Sequence, residues 1–89
     1  MKAIVTVLGK DTVGIIAAVC AMLSEHNVNV LDISQTILQD YFTMVMMVDL
    51  TDSTASFADL AAALENAGTE RGLSIRIQRE DIFNAMHRI

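Results

Sequence analysis

The residues best suited to chemistry lie in a short polar segment, residues 9–14 (GKDTVG), between a β-branched run and an alanine-rich stretch. If that stretch is a helix, its dipole and the backbone N–H groups of its first turn would attract a carboxylate or a phosphate. Gly14 would let a ligand or a neighbouring strand approach the backbone closely. Asp11 could accept a hydrogen bond from an ammonium group. Asp11 and Thr12 are also common helix N-caps, and capping is the more frequent role.

A second polar position, Asn29, lies at the start of the next predicted strand and is followed by Val30. Asparagine at the start of a strand more often forms a turn than binds a ligand. The two segments would support each other as a binding site only if Asn29 of one chain faced the segment 9–14 of another chain.

The sequence offers little for catalysis or metal binding. It contains no G-x-S-x-G motif, and neither His26 nor His87 has a serine or cysteine close by in the chain. Cys20 is the single cysteine, which excludes an internal disulfide and a cysteine-only zinc site. The methionines of residues 41–50 could bind Cu(I), but they fit an apolar strand with a period of two, so core packing is the better interpretation. We therefore expect no enzyme, no metal and no cofactor.

Composition narrows the classes of partner. Six Lys+Arg stand against eleven Asp+Glu, the net charge is −5, and binding to nucleic acid or an anionic membrane needs clustered cations. The longest uncharged stretch, residues 12–24, is too short to span a bilayer. A single cysteine and no recognisable signal peptide predict a cytoplasmic protein. The 89 residues, 53% of them hydrophobic, predict one folded domain over residues 1–89 with apolar surface left for a partner.

Four segments have the pattern of β-strands. Residues 3–8 (AIVTVL) are almost wholly apolar, as in a strand buried on both faces. Residues 28–38 and 41–50 alternate around the polar turn Gln39-Asp40, which predicts a hairpin. The predicted face of the first hairpin strand consists of Asn29, Leu31, Ile33, Gln35 and Ile37. The inner face of the second consists of Phe42, Met44, Met46, Val48 and Leu50. Alternation at Leu73, Ile75 and Ile77 predicts the fourth strand.

Three segments have helical periodicity. The first has an apolar stripe with i, i+3, i+4, i+7 spacing at Ile16, Val19, Cys20 and Leu23, which Ile15 and Met22 widen. The second begins at Ser56, a capping residue, has a stripe at Phe57, Leu60, Ala61 and Leu64, and is closed by Gly68 and Gly72. Residues 80–89 predict a short terminal helix with one apolar face, made of Ile82, Phe83, Met86 and Ile89.

The predicted order of elements is β-α-β-β-α-β. Two right-handed crossovers around a central hairpin give an α+β, ferredoxin-like sandwich, in which a four-stranded antiparallel sheet carries both helices on one face. The open face would then expose Val45 and Met47. Together with the apolar tail, that exposure predicts a partner surface, most simply a second copy of the chain.

The run VTVLGKDTVGIIAAVCAMLSEHNVNVLDISQT resembles the ACT domain, a small regulatory module that binds amino acids or related ligands. The matching features are a strand followed by G-x-D-x-x-G-I, an alanine-rich helix, and N-V-x-x-L-D-I-S opening the second strand. The later runs DYFTMVMMVDL and DIFNAMHRI look like the stand-alone bacterial and archaeal members of the family. The resemblance covers essentially the whole chain.

The resemblance implies that two chains pair side by side and hold an effector amino acid at their interface. It places the ligand between the loop after the first strand of one chain and the start of the second strand of the other. The residues implied are Gly9, Asp11, Thr12, Val13 and Gly14 on one chain and Asn29 and Val30 on the other. Many members have proline where this chain has Val13, and valine leaves the loop less rigid.

The sequence thus predicts a non-catalytic, homodimeric module that senses a small molecule, an amino acid, and passes the signal to a partner protein. One alternative is an interaction subunit with the same dimer and a vestigial pocket, which the relaxed loop at Val13 favours. A weaker alternative is an acylphosphatase-like enzyme, since acylphosphatases share this topology. Their chemistry needs an arginine near the first loop, and residues 9–27 contain only Lys10 as a cation.

Overall fold

The computed structural model describes residues 1–10 and 14–81. Its elements are β1 (Lys2–Lys10), α1 (Ile15–Glu25), β2 (Asn29–Leu38), β3 (Tyr41–Asp49), α2 (Phe57–Arg71) and β4 (Ser74–Arg79). The strands form one sheet in the order β2-β3-β1-β4, and each neighbouring pair is antiparallel. This arrangement confirms the predicted ferredoxin-like fold. Glu80 and Asp81 have helical backbone, and the rest of the predicted tail lies outside the described residues.

The core lies between one face of the sheet and the two helices. On β3 the alternation places every second residue inward, and Met44 and Met46 are fully buried there, which confirms that they are packing residues. β1 contributes Ala3, Val5 and Val7, and β4 contributes Ile75 and Ile77. The helices close this layer with Ile15, Val19 and Leu23 from α1 and Leu60 and Leu64 from α2.

Helix α1 differs from the prediction in its start and in its buried stripe. The helix begins at Ile15, and its N-cap is Gly14 with φ 84°, so neither Asp11 nor Thr12 is the N-cap. Ile15, predicted to widen the stripe, is buried, whereas Ile16 is 38% exposed and Cys20 is half-buried. Adjacent isoleucines make either phase of the apolar stripe possible in the sequence, and packing against the sheet selects the first.

Strand β2 contains a bulge that reverses part of its predicted facing. Asn29 and Val30 pair with Asp49 and Val48, whereas the next paired residue is Asp32, opposite Met47. Leu31 is the extra residue, so the face pattern changes by one position across it. Val30 therefore lies on the helix side in place of Asn29, and the prediction that Asn29 shares a face with Ile33, Gln35 and Ile37 is wrong.

Helix α2 is capped as predicted at its start and extends further at its end. The Ser56 hydroxyl accepts a hydrogen bond from the Asp59 N–H at 3.2 Å. The helix closes at Gly72, which has φ 72°, whereas Gly68 lies within the helix and is buried. A Cβ atom at Gly68 would lie 2.9 Å from the Leu73 carbonyl oxygen, so glycine lets α2 approach the start of β4.

Two regions of the described surface remain apolar. On the open face of the sheet, Val45 is exposed as predicted and Leu8 is 47% exposed, whereas Met47, also predicted to be exposed, is half-buried. The second region lies on the helix side of the edge strand β2, where Ile33 is 42% and Ile37 61% exposed. The helices leave this edge strand largely uncovered. Within the described residues, no helix is long and apolar enough to cross a membrane.

Candidate functional site

The predicted binding residues lie at opposite ends of the sheet. Gly9 pairs with Phe42 near the end of β1, and Gly14 follows where α1 begins. Asn29 begins β2 and pairs with Asp49, which also faces Lys2 at the start of β1. Between these two rows β3 rises by about 3.3 Å per residue, so they are roughly 23 Å apart. Within one chain the fold therefore separates the two halves of the predicted site.

The first half is the N-terminal end of α1. Gly14 is exposed and adopts a left-handed conformation, and its carbonyl oxygen accepts the first helical hydrogen bond, from the Ala18 N–H at 2.9 Å. Because the N-cap is glycine, it supplies no side-chain oxygen to the N–H groups of the first turn. These groups and the helix dipole favour an anion at this end. Asp11, Thr12 and Val13 lie outside the described residues.

The second half is a shallow depression of about 370 Å³ where α1 passes into β2. Its lining combines apolar and uncharged polar side chains with one carboxylate. The lining residues are Cys20, Ser24, Asn27, Val28, Asn29, Val30 and Asp52. Asn29 is exposed at the rim, whereas Val30 is half-buried and packs against the core. The two predicted residues of the β2 start therefore lie at one depression.

One wall of this depression is fixed by hydrogen bonds to the loop before α2. Asn27, with φ 57°, donates from Nδ2 to the Asp52 carbonyl oxygen at 3.0 Å. The Thr54 N–H donates to the His26 carbonyl oxygen at 2.9 Å. These bonds join the end of α1 to the loop that carries Asp52, so the relative position of the two is defined.

Two carboxylates, Asp49 and Asp52, lie at this end of the sheet, and the N-terminal ammonium group lies 3.8 Å from Asp49 Oδ1. Thr51 donates to Asp49 Oδ1 from its hydroxyl at 2.6 Å and from its backbone N–H at 2.9 Å. These bonds, the hydroxyl bond foremost, hold the pKa of the Asp49 carboxyl below its usual value. Asp52 is exposed at the depression, and none of the described lining residues is a cation. The depression, whose one charged lining residue is Asp52, suits an ammonium group, whereas the α1 end suits a carboxylate.

Cys20, Ser24 and Asp52 are lining residues that sequence reasoning missed. The sequence pattern predicts Cys20 on the buried stripe of α1, but the residue is half-buried and lines the depression. The spacing of four between Cys20 and Ser24 puts both on one side of α1, which is a signal visible in the sequence. That this side of α1 lies next to Asn29 follows from the direction in which α1 crosses the sheet. The spacing of residues in the sequence does not reveal that direction.

Comparisons with known proteins agree with this architecture. A family model described as the ACT domain matches residues 2–78. A UPF0237 protein of Bifidobacterium longum is 58% identical over 88 residues, which is 99% of this chain and 98% of the relative. The solved structure of an ACT domain protein from Streptococcus pneumoniae is 44% identical, with 98% of each chain covered and a TM-score of 0.83.

A more distant likeness joins the chain to a larger protein. The regulatory subunit of aspartate kinase from Thermus thermophilus, in a ligand-free form, is 24% identical, with a TM-score of 0.65. The match covers 86% of this chain and 50% of that one. At this level of identity the likeness is one of fold.

Proposed function

Because this chain belongs to the ACT domain family, we propose that it is a regulatory module that binds an amino acid between the two chains of a homodimer. ACT domains typically bind small molecules in a regulatory role. The observation that carries the proposal is the separation of the two half-sites at opposite ends of the sheet. One ligand cannot span both halves within a single chain, so a site that uses both halves needs a second chain.

Pairing two chains through their β2 edges would bring the halves together. An antiparallel pairing about a twofold axis reverses the second sheet relative to the first. The α1 start of one chain then lies towards the end of the interface where Asn29 of the second chain stands. The same symmetry repeats the arrangement, so the dimer would have two equivalent sites.

The β2 edge has the character of a self-pairing strand. Residues 33–38 contain no charged side chain, and charges are a usual means of protecting an edge strand from pairing. In the antiparallel register centred on Gln35, Ile33 lies opposite Ile37 of the second copy. Both isoleucines are exposed on the helix side of the strand, and pairing would remove them from water.

The chemistry of the two halves supports an amino acid as the ligand. A carboxylate would be stabilised by the first-turn N–H groups and dipole of α1 in one chain. An ammonium group would be stabilised near Asn29 and Asp52 of the other chain, because Asp52 is the one charged residue of the depression's described lining. Cys20 and Ser24 would then face the ligand's side chain. By linkage, a ligand that contacts both chains stabilises the dimer.

The single cysteine provides a direct test of this site. We expect the effective amino acid to slow alkylation of Cys20 by N-ethylmaleimide and to raise the melting temperature. At about a hundred times its dissociation constant it should add roughly 2.7 kcal/mol of stability. Asn29→Ala should weaken both responses. Asn66→Ala, a matched change at an exposed asparagine on α2, should leave both intact.

Two results would count against the proposal. One is that no proteinogenic amino acid changes the melting temperature or the Cys20 alkylation rate when its concentration is about a hundred times a micromolar dissociation constant. The other is that Asn29→Ala and Asn66→Ala respond alike, which would place binding elsewhere. The first result, together with capture of a partner protein independent of amino acids, would favour the alternative of an interaction subunit, which the valine at position 13 supports.

A further inference from the structure

The second edge of the sheet, β4, has a groove that the proposed sensing site does not use. β4 hydrogen-bonds to β1 on one side, and on its other side no strand lies among the described residues. The groove has a volume of about 340 Å³ and runs between this edge and one side of α2. Ala61, Glu65 and Thr69, spaced four apart, form its helical wall. An unpaired edge beside a groove can accept an extended segment as an additional strand.

Strand β4 contains two arginines, Arg76 and Arg79, and no carboxylate, in a chain of net charge −5. The carboxylate of the groove is Glu65, on its helical wall. Arg79 is paired with Asp81 at 2.9 Å. Arg76 is exposed, pairs with Thr6 in the ladder and thus lies on the open face, and has no ion pair within residues 1–10 and 14–81. Arg76 therefore favours an acidic side chain on the incoming strand.

The same arginine disfavours one pairing of β4 with a second copy of the chain. In an antiparallel β4–β4 pairing that keeps the helices on one side, the register centred on Arg76 places the two Arg76 side chains directly opposite each other, whereas registers centred on Ile75 or Ile77 place Arg76 opposite Ser74 or Gln78. Like charges in that position are destabilising. The β2 edge has no such charge over residues 33–38. The two edges of the sheet thus differ in charge.

We propose that the β4 edge binds an extended, acidic segment of a partner protein, which adds to the sheet beside β4. Successive side chains of the added strand would point alternately to the open face and to the helix side of the sheet. On the open face, an acidic residue would lie across from Arg76. On the helix side, small side chains would fit against Ala61 and beside Glu65. This surface would receive the protein that the module regulates, apart from the ligand site at the β2 edge.

A model peptide tests this assignment. The probe is an acetylated peptide about as long as β4 in which threonine and glutamate alternate, and the control peptide has lysine for glutamate. We expect the glutamate peptide to shift the backbone amide NMR signals of Ser74–Arg79 in the intact chain. Arg76→Glu should weaken its binding about tenfold, more than loss of a surface ion pair alone, because attraction becomes repulsion. The lysine peptide should bind Arg76→Glu better than the original chain.

Arg71→Glu is the matched control, because it makes the same change in net charge at an exposed residue outside the groove. Its effect should stay within about twofold if the attraction is local. Equal weakening by Arg71→Glu and Arg76→Glu would overturn the proposal. So would the absence of shifts in β4 at about millimolar peptide, the range of weak specific binding. Binding that appears only after residues 82–89 are removed would also overturn it, because the chain's own end would then be the occupant.

Discussion

Replacing Ile37 by threonine tests the β2 edge as the dimer interface. Ile37 is 61% exposed in the single chain, so the substitution removes little from the chain's own core. Threonine is β-branched, like isoleucine, and keeps the preference for a strand. The change should therefore weaken association while leaving the monomer folded.

The expected size follows from the exposed area. Full burial of an isoleucine side chain is worth about 1.5–3 kcal/mol, and the exposed part of Ile37 represents roughly 1–2 kcal/mol of that. In a symmetric dimer the loss occurs twice, and threonine retains one methyl group. We expect a loss of about 1.5–3 kcal/mol, which is roughly a ten- to hundredfold increase in the dimer dissociation constant.

Sedimentation velocity over a range of protein concentrations measures this constant. Leu8→Thr is the matched control, because Leu8 is 47% exposed on the open face of β1, away from the β2 edge. The reasoning fails if Ile37→Thr leaves the dissociation constant unchanged. If Leu8→Thr alone dissociates the dimer, the interface is the open face of the sheet.

Three further changes test the fold around the site. Gly68→Ala brings a Cβ atom against the Leu73 carbonyl oxygen. The overpacking should cost about 1–3 kcal/mol, more than the roughly 1 kcal/mol that alanine gains over glycine in helix propensity, so the melting temperature should fall. A rise would refute the close approach. Ser56→Ala removes the α2 cap and should cost about 1 kcal/mol in urea denaturation, with Ser56→Asp restoring most of it. The pKa of Asp49 is lowered by Thr51, so its contribution to stability is present above the unfolded value near 3.8 and is lost as the pH falls through the lower folded value. Asp49→Asn should therefore flatten the acid side of the stability profile, and an unchanged slope would contradict that assignment.

The topology and most of the core could be predicted because each pattern has one consistent solution. Alternation along β3 puts Met44 and Met46 inward whichever strand lies beside it. The stripe of α1 has two solutions, since Ile15 and Ile16 are adjacent, and only packing on the sheet decides between them. The bulge at Leu31 depends on hydrogen bonds to β3, for which the sequence has no local signal.

For the candidate site, the family resemblance supplies a set of residues and no arrangement. The family resemblance indicates Gly14 and Asn29, and the structure puts both at exposed positions. That they lie at opposite ends follows from strand order and register, which involve distant parts of the chain. Because of the bulge, Asn29 lies on the open face and Val30 faces the helices. Alternation in the sequence alone predicts the opposite face for each.

The opposite placement of the half-sites has a consequence for how defects would combine between gene copies. If the site forms across a homodimer, a chain damaged at the α1 start and a chain damaged at Asn29 are each inactive alone. Mixed together, they would form some dimers in which one site contains both undamaged halves, while the other site contains both damaged ones. Random exchange would restore about a quarter of the sites. Two recessive alleles would then complement each other, although they affect the same polypeptide.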